Sequence, residues 1–197
     1  MLRPAYLALA AVDTLLAATD RSRARRVTKP LLMPALAAGA DAPTQRALAL
    51  SWAGDVFLLS HDRRAFTAGL ASFLAAHGAW VAALRGRPGG GRLRRRPALG
   101  APHVAAWLAL NAVLWPRTGP DRWPVVAYST ALTAMALTAL DTGDDAAAAG
   151  GALFMASDGL LALERFAGVH LPAHEGLVMA SYTAAQALLA RGAQPPS

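Results

Sequence analysis

Two aspartates stand in this sequence where hydrocarbon side chains are expected. Asp55 lies in Ser51-Trp52-Ala53-Gly54-Asp55-Val56-Phe57-Leu58-Leu59, and Asp158 in Ala156-Ser157-Asp158-Gly159-Leu160-Leu161. An ionised aspartate near the middle of a membrane helix costs about 2.5 to 3.5 kcal/mol on insertion scales, so it faces a partner or a wet cavity. Two carboxylates sharing one low-dielectric cavity do not ionise equally, because each opposes the charge of the other. The pair then supplies one acid and one base. That combination suits cleavage of an acetal-like or enol-ether bond: a proton is delivered to carbon or oxygen, an oxocarbenium ion forms, and a water activated by the second carboxylate adds to it. The chemistry requires no cofactor and no metal.

Other polar groups could serve such a pair. Lys29 follows Thr28 and precedes Pro30, a helix-start pattern, so it either presents an ammonium to a phosphate or snorkels to the interface. Ser51 lies one turn before Asp55 on the same helix face, and Ser157 is adjacent to Asp158. His77 is the mid-helix histidine, either a packing residue or a cavity group. Tyr182 and Gln186, spaced i, i+4, share a face with Met179 one turn earlier. Tyr128 and Asn111 line the same cavity or bond between helices. A Ser-His-Asp triad from Ser51 or Ser157 with His77 lacks the G-x-S-x-G elbow. His170, His174 and Glu175 look metal-like, but Pro172 between the histidines breaks the shared helical face. Asp141-Thr142-Gly143-Asp144-Asp145 reads as a solvated turn and helix cap, since it lacks the ligand alternation of a calcium loop.

The elements that must position these groups are membrane helices. The chain has 197 residues, 55% of them hydrophobic and 16% charged, with a mean hydropathy of +0.33. A soluble domain of this size is rarely so apolar. Its formal charge of +7 comes almost wholly from arginine. Those arginines cluster between apolar segments and not along one face, which suits anionic headgroups and argues against nucleic acid. Absence of cysteine excludes disulfides and thiolate catalysis. The apolar run behind Arg3, interrupted by Asp13 and without a small-x-small cleavage site, reads as a first spanning helix and not as a signal peptide.

Hydropathy and breakers predict about eight helices, over 4–18, 29–39, 44–60, 65–84, 98–115, 123–140, 146–163 and 175–190. The second holds Pro34 inside and should be kinked. Trp107, Trp115 and Trp123 suit interfacial anchors. Residues 85–97 form a glycine- and arginine-rich stretch with no strand before it and no G-K-S after it, so it reads as a flexible polybasic linker on a headgroup surface. Lysine and arginine divide nine to ten between the two sides, leaving orientation open. The expectation is an all-α polytopic bundle forming one integral membrane domain over 1–197. A weak internal repeat pairs Ala53-Gly54-Asp55, Asp62-Arg63 and Phe66 to Gly69 with Ala156-Ser157-Asp158, Glu164-Arg165 and Phe166 to Gly168. It either marks two pseudo-repeated four-helix halves, with both aspartates at one depth, or is a chance likeness of Ala-rich helices.

Several segments together resemble a known family: Thr28-Lys29-Pro30-Leu31-Leu32-Met33-Pro34, Ser51 to Leu59, Phe66 to Gly69 with Ser72 to His77, Val126-Ala127-Tyr128 with Met135, Gly151 to Asp158, Arg165-Phe166, and Ser181-Tyr182 with Gln186. In this order they are similar to the YhhN-like lysoplasmalogenases. The resemblance implies a multi-spanning hydrolase that opens the vinyl ether of a lysoplasmalogen, releasing a fatty aldehyde and a glycerophospho-ethanolamine or -choline. It implies Asp55 and Asp158 as the acidic pair, with Lys29, His77, Tyr128 and Tyr182 as companions, a lysophospholipid substrate, surrounding membrane lipids as partners, and a bacterial inner membrane as location. The rival expectation is a transporter or lipid-binding protein in which the same aspartates relay protons or bind a cation.

Overall fold

The computed structural model describes residues 4–60, 62–86 and 90–193. Arg3, His61, Arg87 to Gly89 in the polybasic stretch, and residues 194–197 lie outside them. Among the described residues there is no strand. The helices are α1 (Pro4–Ala18), α2 (Ser22–Ala37), α3 (Ala42–Phe57), α4 (Arg63–Arg85), the short α5 (Arg92–Arg95), α6 (Ala101–Leu114), α7 (Arg122–Asp141), α8 (Asp145–Ala167) and α9 (His174–Gly192). Helices therefore occupy all eight expected segments, with shifted ends, though not all are long enough to span a bilayer. Four stretches, Arg63–Arg85, Pro97–Leu114, Gly119–Asp141 and Asp145–Ala167, are long and apolar enough to cross a bilayer, which marks the chain as an integral membrane protein.

Local chemistry sets the boundaries. Asp41 caps α3 by accepting the Thr44 N–H at 3.1 Å, with proline in the first turn. Asp62 caps α4, accepting from the N–H groups of Arg64 and Ala65, and Asp144 caps α8, accepting from Ala147. Gly168, at φ 67°, ends α8 with the paired N–H bonds of a left-handed C-cap: Gly168 to the Glu164 carbonyl and Val169 to that of Leu163. Because that glycine is the stop signal, Glu164 and Arg165 belong to the last turn of α8 and not to a loop.

Two expectations need correction. The polar turn 19–26 does not run up to a helix opening at Lys29. Residues 22–26, mostly good helix formers, make the first turns of α2, and Pro30 and Pro34 sit inside it. Pro34 has no N–H to give the Pro30 carbonyl four residues earlier. Trp52, from α3, supplies the missing donor: its indole Nε1–H reaches the Pro30 carbonyl at 2.9 Å. The second correction concerns 85–97, whose described part is not a free linker. Asp141 accepts the N–H groups of Leu93 (2.7 Å) and Gly91 (3.2 Å), while Arg92 donates to the Gly143 carbonyl (2.6 Å) and to Asp145 (2.8 Å). Asp141 to Asp145 thus anchors this basic segment besides capping a helix.

The helices close into a ring. In space the order of neighbours is α1, α2, α3, α4, α7, α8, α9 and back to α1, with α6 outside against α7 and α8. Small residues bring the seams together. A Cβ on Gly150 would come within 2.9 Å of the Leu189 backbone, and one on Gly192 within 2.6 Å of Ala147, so α8 and α9 meet backbone to backbone. Between α3 and α4, a Cβ on Gly54 would strike the Phe73 ring at 2.6 Å. Tyr6 closes the ring by donating its hydroxyl hydrogen to the Thr183 carbonyl at 2.6 Å, joining α1 to α9.

Candidate active site

The ring encloses a cavity of about 100 Å³, and both aspartates line it. Asp55 arrives from the last turn of α3, closer to the helix end than the sequence predicts, because α3 stops at Phe57. It is 1% exposed. Asp158 comes from the middle of α8. The two carboxylates are held differently. The Tyr182 hydroxyl donates to Asp55 Oδ2 at 2.7 Å, and Lys29 Nζ stands 3.3 Å from its other oxygen. Asp158 accepts a short hydrogen bond from the Tyr128 hydroxyl and has no cation partner among the described residues.

The expected companions divide into those that line the cavity and those that back it. Lys29, Tyr128, Ser157, Tyr182 and Met179 line it. Lys29 does so from inside α2 and is paired with Asp55, so it is not a lone ammonium at a helix mouth. Ser157 donates to the Val178 carbonyl at 3.1 Å. Ser51, His77 and Gln186 are fully buried and do not border the cavity. Gln186 donates to the Tyr182 oxygen at 3.2 Å from behind. His77 stacks edge-to-face on Tyr128 (centroids 5.2 Å) and on Phe154 (5.0 Å), and neither of its nitrogens has a hydrogen-bond partner among the described residues. Phe154 in turn meets Tyr182 at 5.5 Å. Tyr128, His77, Phe154 and Tyr182 therefore form one chain of ring contacts that fixes the spacing of the hydroxyls holding the two aspartates. Asn111 bonds across to Ser129 at 3.0 Å, an interhelical bond.

Around these groups the walls are apolar, among them Leu58, Leu70, Phe73, Leu114 and Phe166. The cavity continues in two directions. Through Leu110, Ser129 and Leu132 it adjoins an apolar groove of about 360 Å³ between α6, α7 and α8. Through Lys29, Phe66 and Arg165 it adjoins a polar vestibule of about 560 Å³, which also includes Arg25, Arg26, Glu164 and Glu175. One path is hydrocarbon-like and the other charged.

Sequence reasoning passed over two residues that matter here. Asp13 in α1 is wholly buried; it accepts from the Thr28 hydroxyl at 2.5 Å and lies 3.6 Å from Arg25 Nε. Arg25 also pairs with Glu175 of α9, so this cluster locks the rotation of α2 that turns the adjacent Lys29 toward Asp55. The signal was the one that singled out Asp55, a carboxylate in an apolar run. Arg165 was visible only as part of a motif. In space its guanidinium lies 3.5 Å over the Phe66 ring, bordering cavity and vestibule together. His170 and His174 converge on Glu164, at 3.2 and 3.4 Å, while Glu175 turns to Arg25.

Comparison with curated proteins and with solved structures found no match. Comparison with protein-family models matches residues 24–193, a span that runs from α2 to the end of α9 and includes every group lining the cavity. The chain belongs to the YhhN family.

Proposed function

We propose that the protein hydrolyses the vinyl ether bond of lysoplasmalogens, with Asp55 and Asp158 as its acid and base. The observation that carries this reading is that two aspartates, the buried Asp55 of α3 and the partly buried Asp158 of α8, each held by a tyrosine hydroxyl, line one largely apolar cavity. Such walls suit a single hydrocarbon chain, and the groove between α6, α7 and α8 offers that chain a lateral path. Eight crossings, with α3 and α8 as counterparts in two halves, would put the carboxylates at matching depth in a bacterial cytoplasmic membrane.

The unequal surroundings support a division of roles. Lys29 beside Asp55 matches a negative charge there, which suits Asp55 to the base. Asp158, held by the Tyr128 hydroxyl and without an ion-pair partner among the described residues, is then the acid. It delivers its proton to the outer vinyl carbon, and the ether oxygen and inner carbon become an oxocarbenium ion. Asp55 takes a proton from water as the water oxygen bonds to that carbon. The resulting hemiacetal collapses to a fatty aldehyde and the glycerol hydroxyl, so one water is consumed and the protons balance. Tyr128 and Tyr182 hold the carboxylate oxygens in place, Ser157 adds a hydroxyl at the wall, and Ser51, His77 and Gln186 support these groups from behind.

Purified protein incubated with a lysoplasmalogen should release aldehyde, and absence of release would refute the reading. One observation favours a second reading. The Lys29–Asp55 pair faces a charged vestibule, an arrangement that also suits a proton- or ion-coupled transporter. Coupled uptake into proteoliposomes without aldehyde release would select it.

A further inference from the structure

The vestibule contains more cations than its carboxylates can match. Arg25 is committed to Asp13 and Glu175, Lys29 to Asp55, and Glu164 to His170 and His174. That leaves Arg26 and Arg165, neither of which has a carboxylate partner among the described residues. Of the two, only Arg165 also borders the aspartate cavity. Its guanidinium carbon lies 3.5 Å over the ring centroid of Phe66, from the first turn of α4, which restricts the rotamers of an otherwise mobile side chain. Gly168 ends α8 one turn beyond it and so keeps Arg165 at the helix end, where a cation is favoured by the helix dipole.

We propose that Arg165, oriented by Phe66 and assisted by Arg26, is the anion site for the phosphodiester of a single-chain glycerolipid whose hydrocarbon occupies the cavity. The site replaces Lys29 in that role, since the Lys29 ammonium is already matched by Asp55. A planar guanidinium offers two parallel N–H donors, which fit two phosphate oxygens better than a point charge does. The inference rests on the hydrolase reading for the identity of the lipid, though binding can be measured without turnover.

The test compares a non-hydrolysable 1-O-alkyl lysophospholipid with a 1-O-alkylglycerol of equal chain length, both titrated into detergent-purified protein. The wild type should bind the phospholipid about tenfold or more tightly than the alkylglycerol, as expected for a charge-assisted phosphate contact. Arg165→Gln should remove most of that preference and leave alkylglycerol binding unchanged. Arg165→Lys, restoring charge without the fork, should recover part of it, and Phe66→Leu should weaken the preference with the arginine still present. Inorganic phosphate at millimolar concentration should not displace the lipid. The proposal is overturned if the wild type binds both ligands equally, if Arg165→Gln weakens both alike, or if free phosphate competes as well as the lipid does. A preference that depends on Arg165 in a protein that releases no aldehyde would sustain the anion site while refuting the hydrolase reading.

Discussion

The two sides of the cavity make an instructive contrast. On one side Asp55 sits in the last turn of a short helix, next to a lysine, a tyrosine and the charged vestibule. On the other, Asp158 sits in the middle of a 23-residue helix with a tyrosine as its one side-chain hydrogen-bond partner among the described residues. In sequence the two segments are weakly alike. Their difference lies in what other helices bring to them: α2 sets Lys29 3.3 Å from Asp55, whereas Asp158 has no ion-pair partner among the described residues. Similar strings of residues thus acquire different electrostatic surroundings, which is how one pair of like groups can divide acid and base work.

The largest expected effect tests whether both sides are needed. Asp55→Asn and Asp158→Asn should each lower aldehyde release by at least about a hundredfold, the usual scale for removing a general acid or base. Full activity in either variant would end the two-carboxylate mechanism. Next, Lys29→Met should separate the sides. It leaves Asp55 buried and unmatched, at a cost of about 3 kcal/mol in unfolding free energy, and adding Asp55→Asn should restore much of that stability. No such rescue is expected from Asp158→Asn. A smaller effect should come from the tyrosines. Tyr128→Phe removes the one donor from Asp158 and should slow turnover about tenfold; Tyr182→Phe, with Lys29 still beside Asp55, should slow it less, and equal losses would argue against the asymmetry. The smallest should follow Trp52→Phe, which leaves the Pro30 carbonyl without its donor and should cost about 1 kcal/mol in thermal or denaturant unfolding.

Much of this architecture was legible in the residues, and what was missed has a physical pattern. Aspartates in apolar runs identify themselves because their cost in hydrocarbon is large, and the helix cap within Asp141 to Asp145 follows from local chemistry. Pro30 misled because proline in a first turn and proline inside a kinked helix look alike until a distant donor is known, and that donor is Trp52, 22 residues away. Residues 91–95 looked unstructured because Asp141, which pins them, is about fifty residues on. His77, Ser51 and Gln186 were expected among the groups around the aspartates and are buried off the cavity wall; a one-dimensional pattern cannot tell a residue that lines a cavity from one a layer behind. Arg165 was undervalued because an arginine near a helix end has a bland explanation, and its partner Phe66 lies on another helix.

The indole of Trp52 has a further use. Its N–H is tied to the α2 backbone at Pro30, one residue from the lysine that reaches Asp55. Indole emission responds to such a bond, so the difference between the fluorescence of the wild type and of Trp52→Phe is an optical gauge of α2. If ligand entry shifts α2 against α3, the change should be visible in that signal on the time scale of binding, before any product forms.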